Sequence, residues 1–332
     1  MAQQARALLP HSLATMNRHG QIGLRAAETA ATDILMSAHR VDEEVMHNPA
    51  IKCFGALLLL AAFCAQAAAP WKRLPPTPTM PRHTVGKHVN VNGARLWYGE
   101  WGAGNPGTPV LLLHGGYANS NYFGFLIPAL IKNGYHVIAV DSRGHGRSGR
   151  TDEPITYHLM ASDFVGLLDA LKVDKVSLVG WSDGGCTGYD LAINYPDRVE
   201  RIFTFGSNAD VAGFSDDFGK NPIVAAYLAR TRDEYKRLSP TPNDWESFNA
   251  AMNKMWSTLP TYTAVQLRDI RVHTTIADGQ FDEGMKPQHL RYLVATIPDA
   301  RLVILPNLSH FAMLQDPSAF NGAVLDFLRD YK

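Results

Sequence analysis

The architecture of this chain turns on Val176-Ser177-Leu178-Val179-Gly180-Trp181-Ser182-Asp183-Gly184-Gly185. A short apolar run ends at Gly180, a serine follows two residues later, and two glycines open the next segment. Gly180-Trp181-Ser182-Asp183-Gly184 has the G-x-S-x-G form of a strand–nucleophile–helix turn. The spacing has a steric reason. Strand and helix nearly touch at such a turn, so the residues two positions either side of the serine must be small. The helix that follows aims its N-terminal dipole and free N–H groups at the serine, which suits an oxyanion. Ordinary turns also carry this pattern, so the strand before it and the helix after it supply its weight.

That context extends in both directions. Upstream, Lys87 to Val91 and Arg95 to Trp101 flank Asn92-Gly93 and read as an edge hairpin. Pro109 to Leu113 is a continuous apolar run, the mark of a strand buried on both faces, and it ends in His114-Gly115-Gly116-Tyr117. A helix is expected from Asn119 to Asn133, stopped by Gly134. Tyr135 to Val140 is the next strand, entering the polar turn Asp141 to Ser148, and Ala161 to Leu171 has helical apolar spacing. Downstream, Cys186 to Asn194 reads as helix and Arg201 to Phe205 as strand. Strands resume at Val272 to Ile276 and Arg301 to Leu305, and an amphipathic helix capped by Asp316 closes the chain from Pro317 to Tyr331. This alternation predicts an α/β fold, an eight-stranded, mostly parallel sheet with helices on both faces. Residues 208–271 interrupt it after the sixth strand. With helical stretches near Pro222 to Arg232 and Asp244 to Trp256, they are expected to form a lid over the strands' carboxyl ends. The lid aromatics Phe214, Phe218, Tyr227, Tyr235, Trp245, Phe248 and Trp256 suit an apolar acyl or aryl ligand, but most are expected to form the lid's own core.

The amino-terminal part reads differently. Residues 1–45 are polar and Ala-rich without a hydrophobic period, and are expected to be a mis-assigned or disordered extension. At 46–67 a basic Lys52, the apolar run Cys53 to Cys64 and the small-residue exit Ala65-Gln66-Ala67 make the three parts of a secretory signal, with translation starting at Met46. Cleavage would make the protein periplasmic or secreted; otherwise it is cytoplasmic or membrane-anchored. Residues 68–86 form a linker rich in proline, and 87–332 the folded domain. Removal of the signal would leave Cys186 alone, so no internal disulfide is expected. Its expected role is packing. The 332 residues are 46% apolar, enough for a sizeable core, and the 31 basic residues balance 31 acidic ones. That balance gives no footprint for nucleic acid, and no protein partner is implied.

A serine hydroxyl is a weak nucleophile until a base held by a carboxylate takes its proton. In this strand order the base and the acid should follow the serine, just beyond strand ends. His310 sits on the loop after the last strand and is the base candidate. Asp282, in a Gly-x-x-Asp turn after the preceding strand, leads the acid candidates, with Asp278 at the strand tip and Asp210 one strand earlier as alternatives. Glu283 should point away if Asp282 points in. His114 is read as positioning its glycine loop and His145 as part of its turn. Gly116 and Asp183 are the expected oxyanion-hole residues, donating backbone N–H groups. Gly115, Tyr117, Trp181 and Phe311 are candidate substrate-binding residues. Neither metal nor cofactor is required.

From about Lys87 onward the chain resembles the α/β-hydrolase superfamily. The resemblance rests on His114-Gly115-Gly116, Asp141 to Ser148, Gly180 to Gly185, Gly279-Gln280-Phe281-Asp282 and Ser309-His310. The elbow Gly-Trp-Ser-Asp-Gly-Gly is similar to that of the valacyclovir hydrolase (biphenyl hydrolase-like) group. The resemblance implies the triad Ser182, Asp282 and His310. In that group the aspartate after the nucleophile is linked to binding the substrate's amino group. Asp183 could do the same, but pairing with Arg143 or another turn residue is the preferred reading. The expected activity is hydrolysis of a small-molecule carboxylic ester through an acyl-enzyme. Lactone, amide or C–C bond hydrolysis with the same triad, or non-catalytic ligand binding on the same scaffold, are the alternatives. Members of this fold with an aspartate nucleophile are disfavoured by Ser182.

Overall fold

The computed structural model describes residues 69–81 and 86–329. The extension at 1–45 and the signal segment at 46–67, with Cys53 and Cys64, lie outside the described residues. One sheet holds β1 (Lys87–Val91), β2 (Ala94–Trp101), β3 (Val110–Leu113) and β4 (Val137–Val140), then β5 (Val176–Trp181), β6 (Val199–Phe205), β7 (His273–Gly279) and β8 (Ala300–Leu305). Its eight strands run in the order β1-β2-β4-β3-β5-β6-β7-β8. β1 and β2 are antiparallel and β2 meets β4 antiparallel, while every remaining pair is parallel. Every residue of β3, β4 and β5 is buried, which is why they read as unbroken apolar runs.

Helices cover both faces. α1 (Leu126–Lys132), α2 (Tyr157–Leu171) and α3 (Asp183–Asn194) precede the lid; α4 (Pro222–Leu238), α5 (Trp245–Trp256) and α6 (Ala264–Arg268) lie within it. α7 (Pro287–Thr296), α8 (Ala312–Gln315) and α9 (Pro317–Arg329) follow. Leu111 and Leu113 of β3 pack with α2, α3 and α7, whereas Val110 and Leu112 pack with α1 and α9. The strand's alternation thus assigns helices to opposite faces.

Several boundaries differ from expectation for local reasons. The helix expected from Asn119 to Asn133 is a 3₁₀ turn at Ser120–Phe123 followed by α1. Pro128, without an N–H, is accommodated in the first turn of α1 but not in the middle of one long helix. α2 begins earlier than expected because the Thr156 side chain accepts from Leu159 N. α3 begins at Asp183 rather than Cys186, directly after the serine. β7 runs on to Gly279, so Asp278 belongs to the strand. The proline-rich segment is docked rather than free: Trp71 stacks on Phe281 at 4.4 Å, and Arg230 of α4 donates to the carbonyls of Leu74 and Pro75. Prolines remove donors but leave carbonyl acceptors, which the lid uses.

Candidate active site

Ser182 sits between β5 and α3 with φ 54 and ψ −120. A non-glycine residue holds such a conformation only when its surroundings over-determine it. Here Ser182 N donates to Phe205 O at 2.8 Å, and its carbonyl accepts from Gly185 N at 2.9 Å and Ser207 Oγ at 2.9 Å. The flanking glycines are sterically required. A Cβ on Gly180 would lie 2.5 Å from Gly184 O, and one on Gly184 would collide with the Leu113 carbonyl.

His310 and Asp282 meet beneath the same rim. Asp282 Oδ2 lies 2.7 Å from His310 Nδ1, and both side chains are 2% exposed. Asp282 Oδ1 accepts from Gly284 N at 2.7 Å and Met285 N at 2.9 Å. Burial alone would raise this carboxyl, but the His310 imidazole and the surrounding donors hold it down at about 2. Burial opposes charge on His310, yet Asp282, Glu283 and Asp183 outweigh it and raise the imidazole's pKa. With Nδ1 committed to Asp282, Nε2 is the nitrogen left for a partner on the cavity side.

The other acid candidates make different contacts. Asp210 accepts from Ala212 N at 2.8 Å at the root of the lid. Asp278, 2% exposed, accepts from Gly279 N at 2.8 Å. Burial, then the charge and hydrogen bond of neighbouring Asp282, push its carboxyl well above the usual range. Glu283, expected to point away, turns inward: its Oε2 accepts from His310 N at 3.1 Å and so fixes the histidine loop.

Ser182 and His310 share a cavity of about 630 Å³ beneath the lid. Gly116, Asp183, Tyr117 and Trp181 also line it. Gly115 and Phe311, expected to touch substrate, are not in its lining. Gly115 packs against the elbow, where an added Cβ would lie 3.0 Å from Ser182 Cβ, and Phe311 is wholly buried behind Trp181 and Tyr227. His114 holds the glycine loop: Nε2 accepts from Ser142 N at 3.0 Å, so Nδ1 carries the hydrogen donated to Gly115 O at 2.8 Å. Of the lid aromatics, Phe214, Phe218, Tyr227, Trp245 and Trp256 line the cavity. Tyr235 and Phe248 stack on each other and form the core expected of most of them.

Asp183 does not pair with Arg143, whose guanidinium forms a buried fork with Asp163 at 2.7 Å. Its carboxylate instead accepts from Tyr157 Oη at 2.8 Å and from Trp256 Nε1 at 2.9 Å. Burial lifts it to about 6 even though both donors favour the charged form. Sequence reasoning missed Tyr157, for want of the cap at Thr156, and Gly206, for want of any motif. Gly206 has φ 61, and a Cβ there would lie 2.7 Å from His310 Nδ1 and 3.1 Å from Asp282 Oδ2.

The family model described as alpha/beta hydrolase fold matches residues 108–260. Serine hydrolase BPHL of Homo sapiens is 30% identical over 255 residues, 73% of this chain and 85% of the relative. The chain belongs to the α/β-hydrolase fold family. This hydrolase is also 26% identical to 2-hydroxy-6-oxo-6-phenylhexa-2,4-dienoate hydrolase of Burkholderia cepacia, over 74% of this chain and 96% of the relative. Its fold matches the meta-cleavage product hydrolase of Pseudomonas fluorescens IP01 with a TM-score of 0.64 at 20% identity, covering 75% of this chain and 99% of that one. The protein is thus an enzyme of the serine-hydrolase group.

Proposed function

We propose that this hydrolase cleaves small carboxylic esters with Ser182 as nucleophile, His310 as base and Asp282 as the acid that orients the imidazole. One observation carries the reading: a buried His310–Asp282 pair at 2.7 Å opens onto the cavity that Ser182 lines from its strained turn. In the first step Ser182 Oγ attacks the ester carbonyl carbon while its proton passes to His310 Nε2. The developing oxyanion is taken by the backbone N–H groups of Gly116 and Asp183. Collapse expels the alcohol, which receives the proton from His310. Water then attacks the acyl group and gives a proton to His310, which passes it to Ser182 Oγ as the acid leaves.

The dienoate relative acts on a substrate bearing a carboxylate, and the cavity's chemistry argues against a close copy of that reaction. Asp183 and Asp216 line it, and none of its described lining residues is Lys or Arg. An uncharged ester is therefore preferred over a dienoate. Amine binding by Asp183 is also disfavoured, because its carboxylate already takes two donors. Labelling with a fluorophosphonate probe tests the reading. Wild-type protein should label and Ser182→Ala should not; equal labelling of both would overturn it. A panel of neutral esters against aryl dienoates then separates the ester from the C–C reading.

A further inference from the structure

Both residues proposed to supply the oxyanion's N–H donors are gripped from the lid, Gly116 through its carbonyl and Asp183 through its side chain. Tyr227, on α4, donates its hydroxyl to Gly116 O at 2.5 Å. Trp256, the last residue of α5, donates its indole N–H to the Asp183 carboxylate at 2.9 and 3.1 Å. The Trp256 ring also lies directly on the Gly116 backbone, so closely that a Cβ on Gly116 would overlap it. The neighbouring Tyr117 is held at φ 60, and its hydroxyl donates to Asn249 of α5 at 2.6 Å. Its ring packs on those of Trp245 and Trp256.

These contacts matter because Gly116 has no side chain with which to anchor itself. An oxyanion hole accelerates a reaction only to the extent that its donors are set before the charge develops. On the core side the loop is held through Gly115, whose carbonyl accepts from Ala118 N at 3.1 Å and from His114 Nδ1 at 2.8 Å. The next peptide, carrying the Gly116 carbonyl, takes its donor from the lid. Asp183 is tied down from both sides, by Tyr157 of the core helix α2 and by Trp256 of the lid.

We infer that Tyr227 and Trp256 are positioning residues for the oxyanion hole, so that docking of the two lid helices completes the catalytic centre as well as enclosing the substrate. The inference rests on the proposed roles of Ser182, Gly116 and Asp183. It differs from a lid that only shapes the pocket, which would govern substrate affinity alone. Loss of one grip displaces a donor without deleting it, so the expected effect is smaller than the 10²–10³-fold of a deleted donor, about tenfold in kcat.

The test uses Tyr227→Phe, which removes one oxygen and keeps the ring, and Trp256→Phe, which removes the N–H. Steady-state kinetics on a p-nitrophenyl ester are measured beside the affinity for an aryl trifluoromethyl ketone, which forms a tetrahedral serine adduct, and for the matching alcohol, which does not. The expected result is a fall of about tenfold in kcat, with trifluoromethyl ketone affinity falling in parallel and KM and alcohol affinity nearly unchanged. A rise in KM and a weaker alcohol with kcat unchanged would overturn the inference and leave the lid as a pocket wall. Thermal melts establish that each variant is folded, and either variant alone decides. Ser182→Ala is run in parallel. If it retains hydrolysis, the underlying reading fails; if only the lid variants behave like wild type, this inference fails by itself.

Discussion

Gly206→Ala disturbs the His310–Asp282 pair without altering either residue. Gly206 follows β6 with φ 61, where a residue with a Cβ pays about 1–2 kcal/mol relative to its preferred backbone conformations. The added methyl would lie 2.7 Å from His310 Nδ1, 2.8 Å from its Cε1 and 3.1 Å from Asp282 Oδ2, inside ordinary contact. Overpacking of this kind costs about 1–3 kcal/mol. Together the two effects predict about 2–5 kcal/mol of lost stability, read by urea denaturation. The larger consequence is chemical. To admit the methyl, the imidazole must retreat from Asp282 or tilt away from Ser182, and misplacement approaching 1 Å costs on the order of 10²-fold in kcat/KM. Gly322→Ala is the control: it lies within α9, where an added Cβ meets nothing within 4 Å. There the change should stabilise the protein by about 0.5–1 kcal/mol and leave kcat/KM alone. A Gly206→Ala enzyme with wild-type stability and kcat/KM would refute the packing argument.

The pH profile follows from the same pair. Because the imidazole's pKa is raised above 6.5 and the base must be neutral, kcat/KM should climb with pH through an apparent pKa above 6.5. In Asp282→Asn the largest opposing charge is gone and burial remains, so that limb should move to lower pH while kcat falls on the order of 10³–10⁴-fold; an unmoved limb contradicts the assignment. Asp278, whose carboxyl is raised by burial and hydrogen-bonded to Asp282, should tolerate Asp278→Asn with kcat/KM within about threefold, since an amide can donate the same bond; a loss as large as that of Asp282→Asn would exchange their roles. Amino-terminal sequencing of exported protein should find Ala68 first, after cleavage behind Ala65-Gln66-Ala67, whereas a mature chain retaining Met1 would end the signal reading.

What the sequence revealed and what it hid divide along physical lines. The buried strands were legible because a strand covered on both faces must be apolar throughout, as β3, β4 and β5 are. The elbow was legible because steric crowding at Ser182 leaves a residue signature in Gly180 and Gly184. Gly206 met the same kind of crowding, but its neighbours His310 and Asp282 lie far along the chain, so no local pattern records it. The inward turn of Glu283 depends on one backbone N–H, that of His310, which no side-chain pattern encodes. The partners of Asp183 were missed for a similar reason. Tyr157 and Trp256 stand in different helices, and only packing of the lid against the sheet brings them to one carboxylate. The lid aromatics divide between core and cavity according to helix orientation, which composition does not contain.

The proposed reaction passes through an acyl-enzyme on Ser182. The most direct measurement is mass spectrometry of protein quenched milliseconds after mixing with a slowly deacylated aryl ester. A mass increase equal to the acyl group is expected, mapped to the peptide containing Ser182 and decaying as the acid accumulates. Turnover of the ester without any adduct on Ser182, or with an adduct on another residue, would contradict it.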